Sequence, residues 1–85
     1  MEMSKWDKAI RSIEIELELE CYNKGHVAGL VGMVSERIVG LCYASNKFRC
    51  TSFGDACLAE SGRLSEKLVK TLVVHDDYKE FLNYV

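Results

Sequence analysis

The chain has no proline in its 85 residues. Nothing therefore breaks a helix by removing a backbone donor, and long helices are open to it. It has only two histidines, His26 and His75, and its four cysteines are separated by twenty-one, eight and seven positions. Those spacings lack the short C-x2-C or H-x3-H repeats that bring ligands onto one metal, so no metal and no cofactor is expected. No glycine-rich phosphate loop, H-E-x-x-H helix or strand–turn–helix elbow occurs. Nothing selects a cysteine or serine to pair with a histidine and an orienting acid. His75-Asp76-Asp77 reads as a helix end followed by the cap of the next helix. The sequence indicates no enzyme.

Three further absences narrow the class. The formal net charge of −2 and pI near 5.6 lack the basic excess of a dedicated nucleic-acid binder, although a local basic patch is still open. The longest apolar run, His26 to Val34, ends at Ser35-Glu36-Arg37, short of the about 18 continuous apolar residues of a membrane span; no transmembrane helix and no membrane partner is expected. Met1-Glu2-Met3-Ser4-Lys5 has no apolar signal-peptide core. A cytoplasmic protein with reduced cysteines follows, each thiol serving as a small hydrophobe rather than half of a disulfide.

What the chain does have is a middle almost free of charge. Of thirteen acids only Glu36 lies between Gly25 and Gly54, and of eleven bases only Arg37, Lys47 and Arg49. Unpaired charge is costly to desolvate, so a segment this poor in charge is normally covered. A domain of this size buries only about 60% of its unfolded surface, and one domain, residues 1–85, is all the length allows. Full cover for the middle then calls for a second copy or a partner.

Helical periodicity runs through the chain. Ser4-Lys5-Trp6-Asp7 reads as a capping box, and Trp6, Ile10, Ile13, Leu17 and Cys21 recur on one helical face, with Asn23-Lys24-Gly25 as the stop. In a second helix Val27, Val31, Val34, Ile38 and Leu41 form an aliphatic stripe, with Gly25, Gly29, Gly32 and Gly40 roughly opposite. Small residues on one face let a neighbouring backbone come close. Ser45 to Gly54 reads as a connection ending in a capping box, Ser52 to Asp55. A third helix from about Asp55 to Val74 points Cys57, Ser61, Leu64, Leu68 and Leu72 inward and Arg63, Glu66, Lys67 and Lys70 to water. A short C-terminal helix from Asp77 could dock Tyr78, Phe81, Leu82 and Val85. The fold predicted is all-α, a small helical bundle made of a helical hairpin, a third helix and a short C-terminal helix. The alternative is α+β, with a small antiparallel sheet from residues 13–53, because Ile13 to Cys21 also alternates strictly between aliphatic residues (closing in a cysteine) and glutamates. Its strands would be Ile13–Cys21, Arg37–Ala44 and Phe48–Phe53.

Three surfaces are candidates for function. The first is a protein interface centred on Leu30, Val31, Val34, Ile38, Leu41 and Tyr43, through which the chain would form a homo-oligomer. The second is the acidic run Glu14, Glu16, Glu18 and Glu20, which can steer a basic partner, although such runs are more often solvated faces. The third mixes aromatic and basic residues, Lys47, Phe48, Arg49 and Phe53, as single-stranded nucleic acid requires; these aromatics equally suit the end of a bundle. The function expected is a small non-enzymatic protein-binding module, self-associating and acting as an adaptor or inhibitor of a second, basic protein. An RNA or single-stranded DNA binding α+β module is the alternative, and an unrecognised enzyme is a third.

Overall fold

A computed structural model describes residues 3–75. Three helices account for most of them: α1, Lys5–Leu17; α2, Lys24–Lys47; and α3, Ser52–Val73. The protein is a small all-α helical bundle. No strand occurs among the described residues, which overturns the α+β alternative. Ile13–Cys21, Arg37–Ala44 and Phe48–Phe53 lie in helices or the turns after them. The expected C-terminal helix, with Tyr78, Phe81, Leu82 and Val85, lies outside the described residues, as do Asp76 and Asp77.

Each helix starts on a side-chain cap. Ser4 Oγ accepts the Asp7 N–H at 3.1 Å and donates to Asp7 Oδ2 at 2.6 Å, so the serine half of the first box forms as read while the Asp7 carboxylate takes the hydroxyl in place of a backbone N–H. The helix end is not where the sequence suggested. α1 stops at Leu17, and Asn23, read as part of a stop, is the N-cap of α2, accepting from His26 N at 3.0 Å. Gly25 is thus in the first turn of α2. Four glutamates crowd the negative end of the α1 dipole with no basic residue in its last turn, a placement that disfavours further turns. The second box shifts by one residue: Thr51, not Ser52, caps α3, its Oγ1 accepting from Gly54 N at 3.0 Å. α2 continues to Lys47, which shortens the expected connection to residues 48–51.

The core forms where three stripes meet. Ala9, Ile10 and Ile13 of α1, Val27, Val31, Val34 and Leu41 of α2, and Cys57, Leu64, Leu68 and Leu72 of α3 are buried. Trp6, Leu17, Leu30, Met33, Ile38 and Ala44 pack half-buried around them. Of the α1 stripe only Cys21 is exposed, because the helix ends before it. Burying a Val, Leu or Ile side chain contributes about 1.5–3 kcal/mol each, so this stripe pattern is the main stabilising term.

The turn between α2 and α3 rests on one glycine. A Cβ at Gly54 would sit 2.2 Å from the Phe48 carbonyl oxygen and 3.3 Å from that of Ser45. Gly54 therefore lets the start of α3 lie against the end of α2. At the other end the Tyr22 and His75 rings meet edge-on at 4.9 Å. These two contacts make α2 and α3 an antiparallel hairpin along their whole length.

α2 also has the length and composition of a membrane-crossing helix, with a mean hydropathy of 1.4 over an 18-residue window. The break at Ser35-Glu36-Arg37 is too small to disqualify it, contrary to the sequence expectation. A core helix of a bundle passes the same test, so the figure does not assign a location. It does carry one structural fact: only 28% of that window is buried among the other helices.

Candidate functional site

The largest departure from expectation is the fate of the predicted interface. Val31, Val34 and Leu41 are buried by the chain's own α1 and α3. Leu30 and Ile38 pack half-buried against the same core. Of the six residues only Tyr43 stands clear, 69% exposed. The aliphatic stripe of α2 is therefore taken up largely within one chain.

α1 covers only one side of the α2–α3 hairpin. Arg37 of α2 lays its guanidinium 4.1 Å from the centre of the Trp6 ring. Arg63 and Lys67 of α3 reach Asp7. Val39 and Val69 each follow one of these residues by two positions, which is about 160° round the helix. Both belong to the opposite side, and both are exposed, Val39 at 66%. Along that side α2 presents Ala28, Gly32, Ser35, Val39 and Cys42, and α3 presents Leu58, Gly62, Ser65, Val69 and Val73. None carries a charge. Leu58 is 59% exposed and Val73 47%, and a Cβ at Gly32 or Gly62 would meet nothing within 4 Å. Ser35 is buried, yet its Oγ has no hydrogen-bond partner.

The signal for this face was present in the sequence. On α3, Leu58, Gly62, Ser65, Val69 and Val73 recur at spacings of four, three, four and four. α3 thus carries two apolar stripes, where a single stripe per helix was expected.

The acidic residues do not form the helical face expected of them. Glu14 is exposed and pairs with Arg11 at 3.3 Å, while the half-buried Glu16 accepts the Asn23 N–H at 3.1 Å. Glu18 is the C-cap of α1, and Glu20 lies beyond it. Of the four, Glu14, Glu18 and Glu20 remain exposed, spread over a helix end and a turn.

The aromatic and basic group does come together. The Phe48 and Phe53 rings meet edge-on at 5.3 Å, and Lys47 Nζ lies 5.8 Å from the Phe48 ring centre. All three, with Arg49, are exposed at the α2–α3 turn. The rings turn an edge and a face to each other, which occupies part of the surface a base would stack on.

The strongest electrostatic cluster was not foreseen. Arg63 Nη1 and Nη2 donate to Asp7 Oδ1 and Oδ2 at 2.8 and 3.0 Å, and Lys67 Nζ donates to Oδ1 at 3.0 Å. The same guanidinium holds Glu60, with Nε 3.0 Å from Oε2. The Arg63 hydrogen bonds, then that of Ser4, hold the Asp7 carboxyl well below the usual carboxylate range. Arg63 likewise lowers Glu60. Every oxygen of Asp7 is engaged, so the cluster is a clamp between α1 and α3 rather than a reactive group.

Among the described residues no three of His, Cys, Asp and Glu are arranged to hold a metal ion. Cys21, Cys42 and Cys50 are exposed free thiols and Cys57 is a buried one. A shallow groove of about 250 Å³ lies between the ends of α1 and α3, lined by Glu14, Leu17, Glu18, Thr71, Val74 and His75.

Compared with family models, curated proteins and solved structures, the chain matches none.

Proposed function

We propose that this chain is a non-enzymatic protein-binding module that works through the uncovered side of its α2–α3 hairpin. The observation behind the reading is the contrast between the hairpin's two sides. One is covered by α1 and bordered by Arg37, Arg63 and Lys67; the other exposes Val39, Leu58, Val69 and Val73 with no charge among them. Contiguous exposed apolar area rimmed by polar residues is what protein interaction sites present. Adaptor or inhibitor action would be a consequence of this binding. The exposed Glu14, Glu18 and Glu20 would add steering toward a basic protein.

Affinity capture from cell extract tests the reading, using the wild-type chain, Val39→Glu, Leu58→Glu and, as a control on α1, Lys8→Glu. Species held by the wild type and by Lys8→Glu should be lost from both uncovered-side variants. Identical captures by all four chains would end this reading. Charge reversal at Glu14, Glu18 and Glu20 with capture unchanged would remove the steering part alone.

A further inference from the structure

We infer that the α2–α3 turn docks on an anionic lipid bilayer, with the Phe48 and Phe53 rings entering the headgroup layer and Lys47 and Arg49 meeting lipid phosphates. This end of the hairpin is separate from its uncovered side, so lipid docking goes beyond the protein-binding reading and does not depend on it. The lack of a membrane span suggests no membrane partner, but a surface contact needs no span.

The turn projects from the bundle and carries its positive charge. Trp6 at the start of α1 meets α2 at Arg37, ten residues short of the helix end at Lys47, which is about 15 Å of helix. From Ile38 to Ala59 the only charged residues are Lys47, Arg49 and Asp55, two positive against one negative in a chain of net charge −2. Glu14, Glu16, Glu18 and Glu20 lie at or just past the end of α1 that points away from the turn. Arg11, Arg63, Lys67 and Lys70 each pair with an acid. Among the described residues Lys47 and Arg49 pair with none, and Lys47 rests against the Phe48 ring alone. A negative surface thus draws the turn toward it and turns the glutamate end away.

The turn is also suited to leaving water. Thr51 Oγ1 donates to the Phe48 carbonyl at 2.6 Å and accepts the Gly54 N–H at 3.0 Å, while the Phe48 N–H donates to the Ala44 carbonyl at 2.9 Å. Backbone groups engaged in this way cost less to bring into an apolar layer than free ones. Phe53 is 57% exposed, with Phe48 and Tyr43 exposed beside it. Tyr43 stands five residues before Phe48, about 7.5 Å along α2, within the about 5–10 Å to which interfacial segments sink. With the phenylalanines leading, Tyr43 comes to headgroup level, where tyrosine is favoured. Asp55 follows Gly54, which lies against Ser45, so the one acid stands near the Tyr43 level and behind the leading rings.

Two other anionic partners fit less well. Single-stranded nucleic acid needs flat ring faces open for stacking, whereas Phe48 and Phe53 meet edge-on at 5.3 Å and Lys47 lies over Phe48. An acidic protein needs roughly 800 Å² of matched surface, more than three rings and two cations at a turn supply. A bilayer sets no such threshold, because each ring and each base adds its own share.

The test is flotation of the full reduced chain with vesicles at millimolar lipid, either phosphatidylcholine alone or phosphatidylcholine mixed with phosphatidylserine. The wild type should float with the mixed vesicles and stay behind with the neutral ones, and high salt should release it. Lys47→Gln with Arg49→Gln should lower the partition coefficient about thirtyfold, and Phe53→Ser about tenfold. Lys5→Gln with Lys8→Gln, which removes as much charge from exposed positions on α1, should leave it unchanged. All variants should keep the wild-type helical circular dichroism. A wild type that floats with neither vesicle overturns the inference. Equal flotation with both does so too, since it would place the contact on the uncharged side of the hairpin, and so does an equal loss in the α1 control, which would reduce the effect to net charge. A chain that ignores vesicles but binds a labelled single-stranded oligonucleotide through Lys47 and Arg49 would replace lipid with nucleic acid. None of these outcomes touches the capture experiment at Val39 and Leu58, so each reading can fail alone.

Discussion

Asp7 in the first turn of α1 and Arg63 in the middle of α3 are joined by two parallel hydrogen bonds of 2.8 and 3.0 Å across 56 residues of sequence. Lys67 adds a third at 3.0 Å. This fork fixes α1 to one side of the hairpin, and thereby decides which side is left uncovered.

Asp7→Asn should therefore lower stability by about 1–2 kcal/mol at neutral pH, the scale of a hydrogen bond to a charged partner. The loss is moderate because the Arg63 and Lys67 side chains are 45% and 43% exposed and can return to water. The folded carboxyl titrates below its unfolded value of about 3.9, so its contribution is complete above that pH and fades as the pH falls toward the folded value. Urea unfolding of both chains checks this. The gap should be full at neutral pH and shrink under acid; a gap of constant size from neutral pH to strong acid would contradict the assignment.

The helices themselves were legible because the pattern of apolar residues follows the helical repeat and Ser4 announces the first cap. Val27, Val31, Val34, Leu64, Leu68 and Leu72 all fall in the core as their spacing required. The end of α1 was not legible, since a sidechain cap at Asn23 starts α2 at the place where Gly25 suggested a stop. Nor was the uncovered side of the hairpin. Periodicity states which residues share a helix face, but which face α1 covers depends on Asp7 finding Arg63, a contact no local pattern encodes.

Gly54→Ala should destabilise the chain by about 1–3 kcal/mol, the usual range for overpacking a site that cannot yield. The obstacle is the Phe48 carbonyl at 2.2 Å from the added Cβ, which is backbone and cannot swing aside. Thermal unfolding followed by circular dichroism reads the effect. A melting temperature equal to that of the wild type would show that the turn between α2 and α3 is looser than its geometry indicates.

Cys50 holds a φ of 65°, a left-handed conformation that costs an ordinary side chain about 1–2 kcal/mol. Cys50→Gly should recover part of this and raise stability by about 0.5–1 kcal/mol after the extra chain entropy of glycine is subtracted. Cys50→Val should do the reverse, because a β-branched side chain tolerates that region least. The two unfolding midpoints should fall on opposite sides of the wild type; a shift in the same direction for both would point to an effect of the thiol itself.

Glycine in an exposed helix interior costs about 1 kcal/mol relative to alanine, and a Cβ at Gly29, Gly32, Gly40 or Gly62 would meet nothing within 4 Å. Alanine at any of the four should raise stability by about that amount. Gly32 and Gly62 lie on the uncovered side, whereas Gly29 and Gly40 sit about 80–100° round α2 from Val39, yet within a single chain all four have the same open space. Thermal melts of the four variants measure the gain. A variant that melts with or below the wild type would mean that its glycine makes a close approach that the single chain does not show.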